Sequence, residues 1–208
     1  MEALKEKSKI KSVKSRIATQ KEKFVKPLYS GLEMDLEEYQ VWKPDIIDSW
    51  KYELIDGKLE ANEEKMKQKE AFILKNITRN FSKTIYWQNG GELFSEMRFK
   101  SNISNTVRIP DLCFLSESQI IDAKNEINIV PSFIIEIVST FDQTNGYEQK
   151  LREYFQNGVQ CLWLIYPIFK EVKVYTSIRD IKICLEQDIC SASPALPDFE
   201  LVTEQIFE

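Results

Sequence analysis

The spacing of apolar positions changes period several times along the chain. In "MDLEEYQVWK", residues 34–43, Leu36, Tyr39 and Trp42 recur at helical spacing. Asp35 stands three residues before Glu38, a capping-box start, and the segment predicts a short first helix. "YELIDGKLEA" (52–61) alternates around Asp56-Gly57, the dipeptide best suited to a two-residue hairpin turn. Over 64–87, Ile73, Ile77, Phe81 and Ile85 recur one turn apart while Lys75, Arg79 and Lys83 mark another face. That pattern predicts one long amphipathic helix, stopped by Asn89-Gly90-Gly91.

"ELFSEMRFKS", "VRIPDLCFL" and "SFIIEIVS" read as strands. A second helix is predicted over 144–157, with Tyr147, Leu151, Tyr154 and Phe155 on one side and Gly158 as its C-terminal stop. "QCLWLIY" is continuous enough for a buried strand, "EVKVYT" and "IKICLE" alternate more, and a tail is marked by Pro194 and Pro197. Strands, a crossover helix and a buried strand imply an α/β core with at least one parallel connection, a central mixed sheet flanked by helices.

Two carboxylates break this pattern. Glu136 is the sole ionisable residue of "FIIEIVS", and burying a lone carboxylate costs several kcal/mol unless it is paired, protonated or metal-bound. Asp111 follows a proline and precedes the apolar "LCFL". Side by side, the two would favour a divalent cation such as Mg²⁺, which takes one or two carboxylates plus water and phosphate. Their bland readings are a strand-entry residue for Asp111 and a structural ion pair for Glu136.

On a strand, Glu136 shares a face with Val138, so a cation beside it must come from elsewhere. Lys150, at the rim of the apolar stripe of the next helix, is the candidate to stabilise charge on a phosphate or to orient water. Glu53, in the predicted hairpin, is either a third acidic contributor or a cross-strand salt-bridge partner.

Composition removes other chemistry. There is no histidine, which rules against histidine-based triads, HExxH zinc sites and histidine proton shuttles. Cys113 and Cys161 sit in apolar runs and read as small core residues, while Cys184 and Cys190 lack a CxxC spacing; neither a disulfide nor a cysteine-metal site is expected, as suits a cytoplasmic protein. No stretch is long and apolar enough for a membrane span, and the start of the chain lacks a signal-peptide core.

The net charge is −5, yet residues 1–26 carry nine Lys or Arg against three Glu. This arm reads as a disordered or frayed helical extension, or as a basic arm for nucleic acid or a partner. Lys75, Arg79 and Lys83, with Arg98, Lys100 and Arg108, offer phosphate contacts on an otherwise acidic protein, or simply a solvated surface.

"YELIDGKL", "IPDLCFL" and "PSFIIEIVS…DQTNGYEQKLREYFQNGVQCLWLIYP…VKVY" together resemble the Uma-type restriction endonuclease family of the PD-(D/E)XK nuclease superfamily. The resemblance covers roughly 34–207 and divides the chain into a basic extension, 1–33, and a nuclease-like domain, 34–208. It implies a restriction-endonuclease-like core and a Mg²⁺- or Mn²⁺-dependent endonuclease acting on DNA. A homodimer is expected because cutting two strands with one site per chain is simplest with two chains; no organic cofactor is implied.

By the same resemblance, Asp111 and Glu136 hold the metal, Lys150 is the lysine moved from strand to helix, and Glu53 is the early acidic residue. Gln68 lies about where relatives carry histidine or glutamine. The chain departs from many relatives at Ser139-Thr140-Phe141, Tyr166-Pro167 and Gly146, and matches them at Asp142. The alternatives are a non-catalytic nucleic-acid-binding or protein-interaction module on the same fold, and a structural protein in which Lys150 bridges directly to Glu136.

Overall fold

The structure is a computed structural model that describes residues 27–46, 50–63, 68–138 and 144–208. The basic arm over 1–26, the expected helix start at 64–67, and Ser139, Thr140, Phe141 and Asp142 lie outside the described residues. The chain groups into two compact units, Met1–Lys65 and Met66–Glu208.

In the first unit, α1 (Leu36–Val41) begins with the predicted capping box: Glu38 N donates to Asp35 Oδ1 at 2.8 Å, and Asp35 N donates to Glu38 Oε2 at 2.9 Å. β1 (Trp50–Ile55) and β2 (Lys58–Glu63) pair antiparallel, with Ile55 opposite Lys58. Asp56 and Gly57 both have positive φ, 47° and 81°, as a type I′ turn requires. The Tyr39 hydroxyl donates to Tyr52 O at 2.6 Å and seats the helix on the hairpin.

The second unit is built on a six-stranded mixed sheet. Its strands are β3 (Glu92–Ser95), β6 (Leu112–Leu115), β7 (Phe133–Ile137), β8 (Cys161–Tyr166), β9 (Glu171–Tyr175) and β10 (Ile181–Cys184), in the spatial order β10-β9-β8-β7-β6-β3. β7 and β8 are parallel, and every other neighbouring pair is antiparallel. The parallel step is made through α5 (Thr144–Gln156), the crossover helix the sequence predicts. It ends where expected: Gly158 has φ 102°, and Val159 N donates to Tyr154 O at 3.1 Å, a Schellman-type closure. β4 (Phe99–Lys100) and β5 (Val107–Arg108) form a short antiparallel pair outside this sheet.

Side-chain alternation splits the core into two layers. One face, with Ile135, Ile137 and Trp163, packs with Ile73, Ile77 and Phe81 of α2 (Gln68–Phe81). The other, with Ile134, Leu162 and Leu164, packs with Leu151 and Tyr154 of α5.

Three features differ from the sequence-based expectation. The long helix stops at Phe81, and a separate short helix, α3 (Ile85–Gln88), starts anew. Thr84 explains the break, because its hydroxyl accepts from Trp87 N as an N-cap and also donates to Phe81 O. Ile85, placed on the apolar stripe by spacing alone, is 47% exposed. A further helix, α4 (Glu117–Lys124), follows β6 behind the capping box of Ser116 and Gln119. The expected tail is an antiparallel hairpin, β11 (Ile189–Ala192) and β12 (Leu196–Val202), followed by α6 (Thr203–Phe207). Trp163 Nε1 donates to Ser191 O at 3.1 Å and ties this hairpin to the sheet. Among the described residues no helix is long and apolar enough to cross a membrane.

Candidate active site

The site forms where β6 begins and β7 ends. In the antiparallel register Leu112 faces Ile135 and Cys113 faces Ile134, so the same register carried one step further sets Asp111 across from Glu136. Asp111 Oδ2 accepts from Ile137 N at 2.7 Å, in the place where a strand partner's carbonyl would otherwise serve. The Asp111 carboxylate is thereby fixed against the C-terminal end of β7.

Glu136 is 3% exposed and stands on the α5 face of the sheet, with Ile134 and Val138 in the same alternation. Lys150 Nζ lies 3.0 Å from Glu136 Oε1, and the Tyr154 hydroxyl donates to the same oxygen. Lys150 and Tyr154 are four residues apart, so one helix face delivers both groups to one carboxylate. Ion pairing and hydrogen bonding together offset the desolvation that a buried carboxylate incurs. Cys113 is close enough to feel this charge: burial pushes its thiol up to about 12, and the negative charge of Glu136 acts in the same direction.

A second charged link seats α5. Arg108 is 6% exposed, and its Nε and Nη2 lie 2.7 and 2.6 Å from Glu153 Oε2. Gln149 Nε2 donates to Glu153 Oε1 at 3.0 Å. Arg108 therefore leaves the set of surface cations expected to meet phosphate, because its guanidinium is buried against a helix carboxylate.

The other expected phosphate contacts are dispersed. Lys75, Arg79 and Lys83 are exposed on α2, with Lys83 Nζ donating to Asn80 Oδ1 at 2.9 Å. Arg98 is exposed ahead of β4, and Lys100, within β4, is half-buried. Glu53 belongs to the first unit, where it is 1% exposed on β1 opposite Glu60. Gln68 opens α2, and Gly146 is exposed near the start of α5.

Sequence reasoning assigns Tyr154 to the apolar stripe of α5 and overlooks its hydroxyl. Its spacing from Lys150 is the signal that could have found it. Glu153 carries no such local signal, since its partner is 45 residues away in sequence.

The donor chemistry suits a hard divalent cation. Asp111 and Glu136 offer carboxylate oxygens from adjacent strands, and no group of three or more His, Cys, Asp or Glu among the described residues could hold a metal. A two-carboxylate set is what Mg²⁺ uses when water and substrate phosphate complete its shell.

The sequence profile of Uma2, described as "Putative restriction endonuclease", matches residues 36–204. No functionally curated protein matches the chain. Among solved structures, the fold is similar to that of a "putative nuclease belonging to DUF820 from Anabaena variabilis ATCC 29413". The TM-score is 0.70 at 19% identity, over 84% of this chain and 97% of that one. Over most of its length, from the first helix to the last, the chain belongs to the Uma2 family of putative restriction endonucleases.

Proposed function

We propose that this chain is a cytoplasmic endonuclease that hydrolyses phosphodiester bonds in DNA with Mg²⁺ or Mn²⁺, acting as a homodimer with one site per chain. The observation that carries the reading is the convergence of Asp111, Glu136 and Lys150 at one end of the sheet. Family membership gives the reaction class, and restriction-endonuclease-like enzymes usually use divalent metals.

Asp111 and Glu136 would hold the ion. When bound, it supplies Lewis acidity to the scissile phosphate and the attacking water. Lys150 stabilises the negative charge that develops on the phosphate or orients the nucleophile, from a helix already docked beside Glu136. Tyr154 holds the Glu136 carboxylate in one orientation, and the Ile137 amide does the same for Asp111. Lys75, Arg79, Lys83, Arg98 and Lys100 supply contacts to phosphates away from the cut.

One observation favours a second reading. The direct contact between Lys150 and Glu136 is what a structural ion pair predicts. A nuclease fold that binds without turnover is compatible with the same contact.

Cleavage of supercoiled, linear and branched DNA by the purified protein with Mg²⁺ or Mn²⁺ separates these readings. The control is a folded Asp111→Asn, Glu136→Gln double variant. Cleavage by the parent alone establishes the nuclease. No cleavage of any substrate, together with no Mn²⁺ binding by calorimetry, eliminates it in favour of the non-catalytic readings.

A further inference from the structure

The outer face of α2 carries an aromatic ring that neither the core nor the Glu136 site uses. Phe72 is 57% exposed. Lys75 and Arg79 follow it by three and seven residues and so share its helix face. Lys75 Nζ lies 5.7 Å from the centre of the Phe72 ring. An exposed ring beside two cations is the combination with which proteins hold unpaired nucleic-acid strands, the ring under a base and the cations on the backbone.

Beside this row lies a groove of about 520 Å³. Its lining includes Leu74, Leu93 and Leu112 together with Lys75, Arg79 and Ser95. Ser95 pairs with Leu112 across β3 and β6, and Leu112 directly follows Asp111. The groove therefore opens at the same end of the sheet as Asp111 and Glu136, on the α2 face rather than the α5 face.

We infer that the groove between α2 and β3 seats a single-stranded segment of the nucleic-acid substrate, with a base on Phe72 and its phosphates on Lys75 and Arg79. Charge selects the class of ligand, because two exposed cations beside an apolar lining suit a polyanion with flat apolar faces. The ring selects the strandedness, because bases inside a duplex are already stacked on one another and cannot lie on a side chain. Lys75 moves from the ring to a phosphate as the base takes its place. The inference rests on the nuclease reading for the fate of the strand, but not for its capture.

The test is fluorescence anisotropy of labelled oligo-dT and of a hairpin duplex of equal length, titrated with the full chain in EDTA so that no metal-dependent cleavage intervenes. The parent binds oligo-dT more tightly than the duplex. Phe72→Ala weakens oligo-dT binding about tenfold and leaves duplex binding unchanged. Replacing Lys75 and Arg79 together with Gln lowers the salt-dependence slope by about 1.4. All three residues are exposed, and an unchanged circular dichroism melt verifies that each variant is folded. Failure of the parent to bind oligo-dT, equal affinity for the duplex, or indifference to Phe72→Ala overturns the inference. Oligo-dT binding that depends on Phe72, in a protein that cleaves nothing, leaves the inference standing and removes the nuclease reading.

Discussion

The Lys150 ammonium reaches Glu136 Oε1 at 3.0 Å, bringing a residue of the crossover helix onto the strand that precedes it. The pair is nearly dry, with side-chain exposures of 12% and 4%. It fastens α5 to the sheet at the point where the proposed chemistry takes place. On the proposed reading one contact serves both stability and activity, and the two contributions can be measured separately.

Removing one partner of this pair should cost more than removing both. Lys150→Met leaves Glu136 buried without its cation and is expected to lower unfolding free energy by about 3 kcal/mol. Adding Glu136→Gln should restore most of that loss. Urea denaturation of both single variants and the double variant gives the coupling. Additive losses would mean that the contact contributes little. Cleavage should be absent in all three variants whatever their stability.

Arg108 should behave as a core residue. Arg108→Gln removes both guanidinium contacts to Glu153 Oε2 and is expected to destabilise the fold by about 2 kcal/mol, while the salt dependence of DNA binding stays that of the parent. Arg98→Gln, at an exposed position, should leave stability nearly unchanged and reduce the salt slope. An Arg108 variant of full stability with a reduced slope would return this residue to the nucleic-acid surface.

The buried thiols predict a weakness toward alkali. Burial pushes Cys113, Cys161 and Cys190 up to about 12, whereas a thiol in an unfolded chain ionises near 8.5. A pKa raised by folding gives stability that is complete below the unfolded value and is lost as pH climbs toward the folded one. Urea midpoints should therefore hold through neutral pH and fall steadily above about pH 9. Ellman's reagent at pH 7.5 should label none of the four cysteines until denaturant is added. Rapid labelling of the native protein would contradict the burial.

Gly158 should resist replacement for a reason that lies in the backbone. A Cβ added there meets nothing within 4 Å, yet φ is 102°. Gly158→Ala should cost about 1–2 kcal/mol by thermal or urea unfolding, with no change in DNA binding. A neutral substitution would show that the end of α5 can close in another way.

The parts legible in the sequence are those fixed by local spacing. Asp35 and Glu38 are three residues apart and cap one helix; Asp56-Gly57 can make the turn it makes; Glu136 stands out because no other ionisable residue shares its run. The lysine opposite Glu136 can be anticipated because strand alternation gives the nearest same-face position to Val138. Where the expectation failed, a neighbour distant in sequence or a hydroxyl decided the outcome. Arg108 looks like a surface cation until Glu153 arrives from α5. The apolar stripe of α2 continues in sequence through Ile85, but the Thr84 hydroxyl begins a new helix. The capping box at Ser116 and Gln119 is the local signal by which α4 can be read from the sequence.

Carrying the lysine on a helix also alters how such a site can evolve. A strand offers alternative same-face positions only two residues away, and each change disturbs the ladder neighbours on which the sheet depends. A helix offers positions one turn away on either side, which for Lys150 are Gly146 and Tyr147, or Glu153 and Tyr154. A lineage could move its cation by a turn, or hand the role to a neighbour, while Asp111 and Glu136 keep their register. On the proposed reading, the two carboxylates are the fixed frame of the site, and the cation is the part most readily relocated.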